Sequence, residues 1–210
     1  MAPSAKLLGG ISEYGAGASP NQHLEWPPAT PDIYSRFHPE EYQVFCHEGQ
    51  YKAFCQNTSV CGSFSWNLFD FASNTRTEGE SLGINDKGLV TYDRNIRNDA
   101  FFFYKANWNP DPMVDICSRR YTPRLSRITT VRAYSNCDVV ELGVNGRSQG
   151  KTEPDNFKIA VWNKVNLYAG HNQIELHGLC GGTQVNDSCQ WEVDDIAPAA
   201  SRATIFNNGL

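Results

Sequence analysis

Glu13 closes a short apolar run in "ISEYGAGA" (residues 11–18), with a phenol beside it and two glycines just after. A carboxylate where a buried parallel strand meets its C-terminal loop is placed for nucleophilic or acid–base chemistry. Tyr14 is expected to donate a hydrogen bond to it and hold it ionised. Gly15 and Gly17 are expected to turn the chain sharply and keep side chains away from whatever approaches the carboxylate. From position alone, a strand-end carboxylate capping a loop is the better account. Trp66 ends a second strand-like run, and a large apolar face beside a carboxylate suits the apolar side of a sugar ring. An aromatic at the rim of a core fits as well, and Asp70, four residues on, is equally open. Asn85 and Lys87 in "NDKG" suit a polar or anionic substrate group, although a solvated turn is the usual setting for such residues.

The other reactive types lead nowhere specific. His47-Glu48 starts like a zinc-protease helix, but Tyr51 stands where the second histidine is needed. His38, before Pro39, reads as a cap or loop contact. GxSxG, P-loop and GxGxxG patterns are absent, and neither a metal site nor a cofactor is expected.

The elements that must hold these residues fall into two textures. Leu7 to Tyr14 reads as a short buried strand. A loop follows with Pro20, Pro27, Pro28 and Pro31, which exclude helix. "HPEEYQVFCHEGQYKAFC" has Pro39 at a first helical position and Glu40 and Glu41 in the first turn. Its spacing puts Tyr42, Phe45, Cys46, Gly49 and Ala53 on one face. "VCGSFSW" alternates as a second strand. "IRNDAFFFYKANW" is a second helix, with Ile96, Ala100, Phe103, Tyr104 and Trp108 in phase. Strand, helix, strand, helix implies parallel α/β packing. Beyond residue 124, "ITTVRAYS", "DVVELGVNG", "FKIAVWNK" and "NQIELHGL" are four runs of strand length. Asn145-Gly146 is a hairpin turn signal, Gly170 to Asn172 supplies another turn, and the spacing suggests an immunoglobulin-type β-sandwich.

The chain has 210 residues, 40% apolar and 20% charged, with a net charge of −5. That suits globular folding, offers no basic stripe for nucleic acid, and contains no run of the ~20 apolar residues that a membrane span needs. "MAPSAKLLGG" lacks the pattern of a signal peptide, so the compartment is not assigned. Seven cysteines occur without a CxxC pair. Cys180 and Cys189 flank a Gly-rich turn and could pair if the chain is exported, although free buried cysteine is the commoner case.

Longer motifs carry a resemblance. "ISEYGAGAS", "FHPEEYQ", "FSWNLFDFAS", "EGESLGINDKGLVTYDR", "DAFFFYKANW" and "SRRYT" follow the order and spacing of glycoside hydrolase family 2, in its β-galactosidase-type branch, from about residue 6 to residue 178. The resemblance implies an α/β plus β chain: C-terminal strand-helix units of a (β/α)8 barrel followed by an immunoglobulin-like β-sandwich. It implies a barrel part over 1–115, a sandwich over 116–193 and an unassigned tail over 194–210. "SEYG" matches the seventh-strand motif, which makes Glu13 the nucleophile of a retaining hydrolysis. Trp66 matches the eighth-strand wall of the sugar pocket, with Tyr14 alongside. Asn85 and Lys87 match an Asn-x-Lys motif that in related β-glucuronidases holds the substrate carboxylate.

The family's acid/base sits in an Asn-Glu pair on the fourth strand, and this sequence has no Asn-Glu dipeptide. A whole barrel takes about 250 residues. The chain therefore reads as a partial enzyme whose remaining barrel comes from a longer chain or a partner. The expected substrate is a carbohydrate, with terminal β-galactosides first and β-glucuronides next. A non-catalytic fragment or carbohydrate-binding module is the alternative, with Trp162, Tyr168 and Trp191 as stacking candidates that more often fill a core.

Overall fold

The computed structural model describes residues 9–32 and 34–194. Leu7, Leu8 and the tail beyond Asp194 lie outside the described residues. The first strand, β1 (Gly9–Tyr14), runs parallel to β2 (Val60–Ser65), and the helix α1 (Glu40–Gln56) makes the crossover between them. Two short strands, β3 (Phe71–Ala72) and β4 (Ile84–Asn85), pair within the loop that follows. The second helix, α2 (Asp99–Trp108), packs on α1. Its first turn begins at Asp99, so Ile96 precedes the helix, and Trp108 is exposed rather than in the core.

Seven strands follow: β5 (Val114–Ile116), β6 (Ile128–Ser135), β7 (Val139–Val144), β8 (Arg147–Thr152), β9 (Ile159–Asn166), β10 (Gly170–Cys180) and β11 (Thr183–Val193). They form two antiparallel sheets, ordered β11-β10-β7-β8 and β5-β6-β9. Val131, Ala160 and Trp162 of one sheet share a buried core with Leu142, Ile174, Leu176 and Trp191 of the other. The four strands expected from the sequence are present. The turn at Asn145-Gly146 has φ of 52° and 72°, the paired positive values that this hairpin needs.

Several expectations are corrected. Strands β5, β8 and β11 were not anticipated. "RSQGKT" has no apolar alternation, and β11 has only Val185, Cys189, Trp191 and Val193 on its inner face among polar residues, and is held by eleven residue pairs with β10. Strand β5 straddles residues 115 and 116 and pairs with β6. Cys189 is free, the commoner case the sequence favoured, whereas the bond of Cys180 to Cys137 was not anticipated. The β10–β11 register explains why: Cys189 faces Ile174, six residues from Cys180. Among its described residues β1 is mostly exposed, with only Tyr14 buried.

The face of α1 is also reversed. Tyr42 and Cys46 are half-buried, Phe45, Gly49 and Ala53 are exposed, and Pro39 sits at the cap rather than in the first turn. The buried face carries Glu40, Gln43, Val44, His47 and Glu48. Buried carboxylates persist only when paired, and the sandwich supplies the partners. Arg132 of β6 donates to both Glu48 oxygens at 2.7 Å, and Tyr134 Oη donates to Glu48 Oε1 at 2.5 Å. Arg120 pairs with Glu40 and, at 3.5 Å, with Asp99. Tyr134 and Ile159 join Val44, Ala100, Phe103 and Tyr104 in a second buried cluster, so the strand-helix part docks on the sheet of β6. No helix among the described residues is long and apolar enough to cross a membrane.

Candidate active site

Adjacent residues of a strand point to opposite faces, and the end of β1 uses this. Tyr14 turns inward and Glu13 outward. The Tyr14 ring is buried edge-on against Phe54 at 4.9 Å, and its hydroxyl accepts a hydrogen bond from Tyr104 Oη at 2.9 Å. The expected Tyr14–Glu13 hydrogen bond is therefore not made, and Tyr14 stands behind the site rather than in it. His47 Nδ1 hydrogen-bonds Tyr104 Oη at 2.9 Å and extends the chain. Burial lowers the His47 pKa to about 4, which keeps the imidazole neutral.

The glycines after Glu13 have a different cause from the expected one. Gly15 has φ of 148°, and a Cβ there would lie 2.4 Å from the Trp66 carbonyl oxygen and 3.2 Å from His47 Cε1. A Cβ on Gly17 would lie 2.6 Å from both Asp86 Oδ1 and His38 Nδ1. The space a side chain would need is taken by the protein itself. Small residues here let the loop after β1 pack against the end of β2 at Gly15 and against Asp86 and His38 at Gly17.

Trp66 follows β2 directly, and its N–H donates to the Tyr14 carbonyl at 2.8 Å, which ties the two strand ends together. Its indole stands edge-on to Phe71 at 5.9 Å and remains 41% exposed. The Trp66–Asn67 peptide is cis.

Lys87 is held through its backbone. Its N–H donates to Asn85 Oδ1 at 3.2 Å, and its carbonyl accepts from Asn67 N at 3.1 Å. The next residue, Gly88, donates to Asp70 Oδ1 at 2.8 Å. The Gly88 carbonyl accepts from Gln43 of α1 and from Asn98, both at 3.1 Å. Asp70, left open by the sequence, thus positions the Lys87 loop from below. Burial, reinforced by the charge of Asp86 and opposed by the Gly88 hydrogen bond, raises the Asp70 pKa to about 7. Asn85 is itself buried.

Glu13, Trp66, Asn85 and Lys87 line one open cavity of about 460 Å³, together with Phe71. Arg76 and Glu78, with Ser73 and Thr75 of the same loop, complete it. The two charged residues form an ion pair, and the hydrogen bond from Arg76 lowers the Glu78 pKa to about 2. Neither was anticipated. They lie in the loop "SNTRTEGES", whose periodicity points to no element and whose charges read as solvated. Chemically the cavity offers an exposed carboxylate, an aromatic face, the Arg76–Glu78 pair and the Lys87 cation, which suits a hydroxylated ring that bears an anionic group. Trp162 and Trp191 are buried in the sandwich and only Tyr168 is exposed, so they form no stacking platform. Among the described residues no group of three or more His, Cys, Asp or Glu side chains is arranged to hold a metal ion.

A family model described as a domain of unknown function, DUF4982, matches residues 126–186, most of the sandwich. A β-glucuronidase of Bacteroides fragilis is 44% identical over 168 residues, 80% of this chain and 24% of that protein. The solved structure of a candidate β-galactosidase from Bacteroides fragilis superposes with a TM-score of 0.82 at 30% identity. An FMN-binding β-glucuronidase from Facaelibacterium prausnitzii L2-6 superposes with a TM-score of 0.77 at 37% identity. Each superposition covers 90% of this chain and 28% of the other. The chain thus spans about a quarter of the length of these relatives.

Proposed function

The chain belongs to glycoside hydrolase family 2, matching a C-terminal portion of its enzymes, and on that premise we propose that it supplies the nucleophile and one wall of the sugar site of a retaining β-glycosidase. The observation that carries this reading is the convergence of Glu13, Trp66, Asn85 and Lys87 on one cavity from three separate segments. In this reading β1, α1 and β2 are strand-helix units of a (β/α)8 barrel, and residues 116–193 are an immunoglobulin-like sandwich that braces them. The rest of the barrel, with the acid/base, comes from a longer chain or a partner.

Retention needs two carboxyl groups about 5 Å apart. Glu13 attacks the anomeric carbon while the acid/base protonates the departing oxygen. A bond forms from Glu13 to the sugar as the glycosidic bond breaks. Water then displaces Glu13, and the acid/base takes its proton. Trp66 offers a face to the ring, and Lys87, braced by Asn85, faces the substituent at C6.

We place β-glucuronides first among substrates. The sequence reading put β-galactosides first. Lys87 in the cavity and the 44% identical β-glucuronidase favour an acidic sugar. The structural likeness to a candidate β-galactosidase keeps the neutral sugar as the second reading. The test uses the catalytically complete protein. A 2-fluoro-glucuronide should label Glu13, found by peptide mass spectrometry, and Glu13→Gln should lower kcat by roughly 10⁴-fold or more, as removal of a nucleophile does elsewhere. Lys87→Met should cost activity on 4-nitrophenyl β-glucuronide alone. Equal loss on the β-galactoside would favour the second reading, and labelling of another residue would overturn the first.

A further inference from the structure

Asn85 and Lys87 line the Glu13 cavity, but Asp86 between them does not. Its carboxylate turns toward His38 instead. His38 Nδ1 lies 2.7 Å from Asp86 Oδ2, and both side chains are largely buried. An ionised carboxylate only accepts hydrogen bonds, so Nδ1 is the donor. Two glycines complete the grip. A Cβ on Gly17 would lie 2.6 Å from Asp86 Oδ1, and one on Gly79, where φ is 77°, would overlap Asp86 Oδ2. The Asp86 carbonyl accepts from Ala18 N at 2.9 Å. His38 is itself fixed: its N–H donates to Gln22 Oε1 at 2.6 Å, and its carbonyl accepts from Ser19 N at 2.7 Å. The backbone thus makes the loop contacts expected of this residue, and the ring reaches Asp86. Gly79 is held as firmly, donating to the Ser35 carbonyl at 3.0 Å and accepting from Arg36 Nε at 2.7 Å.

Three loops therefore meet on Asp86: the one that follows Glu13, the one that enters α1, and the one that carries Arg76 and Glu78. Lys87 is the next residue. Its ammonium rides on a flexible four-carbon stem, so where it reaches depends on how the backbone at its base is held. We propose that His38 is a positioning residue for substrate recognition: by holding Asp86, it aims Lys87 at the acidic group of the sugar. His38 does not line the Glu13 cavity, so it acts through Asp86 and takes no part in the chemistry. This inference rests on the proposed function, and its test separates the two.

Both kcat and KM of the catalytically complete protein would be measured on 4-nitrophenyl β-glucuronide and on the β-galactoside. His38→Ala should raise KM for the glucuronide roughly tenfold, keep kcat within about twofold, and leave KM for the galactoside unchanged. Asp86→Ala should do the same. The double variant should be no worse than either single one, because all three lose one and the same contact. His38→Asn, whose amide nitrogen can take the place of Nδ1, should restore the KM of the parent. Lys87→Met, run alongside, tests the functional reading itself. If it loses the glucuronide selectively while His38→Ala and Asp86→Ala match the parent, or lose both substrates alike, this inference is overturned and the functional reading stands. If Lys87→Met loses both substrates alike, the acidic-sugar reading falls and this inference with it. Should His38→Ala fail to fold, Asp86→Ala and His38→Asn decide on the same criteria.

Discussion

Replacing Arg132 by methionine should unfold the protein far more easily than its distance from the cavity suggests. The Arg132 guanidinium is buried, donates to both oxygens of Glu48, and lies 3.6 Å over the Trp26 ring. Methionine keeps most of the volume and the contact with Trp26 but leaves Glu48, buried on α1, without its cation. An uncompensated buried charge costs about 3–5 kcal/mol. Each kcal/mol moves Tm by about 2–4 °C in a domain of about 150–250 residues and by less in a longer protein, so a fall of up to roughly 20 °C is expected. The triple variant Glu48→Leu, Arg132→Met, Tyr134→Phe removes the charge pair and the hydroxyl together. It should recover most of the loss, because apolar replacement of a whole buried ion pair is often neutral. Thermal unfolding of the complete protein, followed by calorimetry, reads both effects. Glu48 sits next to His47, which contacts the Gly15 turn, so KM should rise in the single variant below its Tm. A loss under about 1 kcal/mol in the single variant would refute the account. So would a triple variant less stable than the single one.

Gly15→Ala, whose Cβ would meet the Trp66 carbonyl, should destabilise by more than the roughly 1–3 kcal/mol of backbone strain alone and reduce kcat/KM, measured together on the complete protein. The Asp70 pKa, raised by burial, lies above its unfolded value, so the folded state holds an extra proton between about pH 4 and pH 7. Stability contributed by neutral Asp70 is present at the acidic end of that window and is lost as pH rises through about 7. Asp70→Asn, which keeps the acceptor for Gly88, should flatten this slope in denaturant titrations; an unchanged slope would assign it elsewhere. Alkylation of the unfolded, unreduced protein should modify five cysteines, leaving Cys137 and Cys180 linked. Cys137→Ala should lower stability by about 2–4 kcal/mol, and seven modified cysteines would exclude the bond.

What could be read from the sequence follows a physical line. The β1-α1-β2 order and the strands with clear alternation were legible because local pattern decides them. The buried face of α1 was not, because polar residues face the core there, and the groups that make this tolerable, Arg120 and Arg132, come from far along the chain. Strands β8 and β11 were missed for a related reason: their place is set by pairing with β7 and β10. Residue types and spacing left Glu13, Trp66, Asn85 and Lys87 each undecided. It was the resemblance that linked them, and the fold places them around one cavity. Arg76 and Glu78 carry no local signal, and only the folded loop brings them to the cavity.

The position of Lys87 shows how the two halves of the chain are coupled. Its loop is fastened at Gly88, whose carbonyl takes hydrogen bonds from Gln43 and Asn98 and whose N–H is held by Asp70. Gln43 lies on the buried face of α1, the face that Arg120 and Arg132 neutralise from the sandwich side. Gln43 Nε2 also donates to the Ala16 carbonyl at 3.0 Å, in the loop that follows Glu13. One amide therefore sets the spacing between the loop of the carboxylate and the loop of the cation, and the ion pairs behind it set the amide. Gln43→Leu removes the donor with little change in volume. On the proposed reading it should weaken sugar binding, measured as KM, more than it reduces stability. A variant that lost stability with unchanged KM would instead assign Gln43 to packing alone.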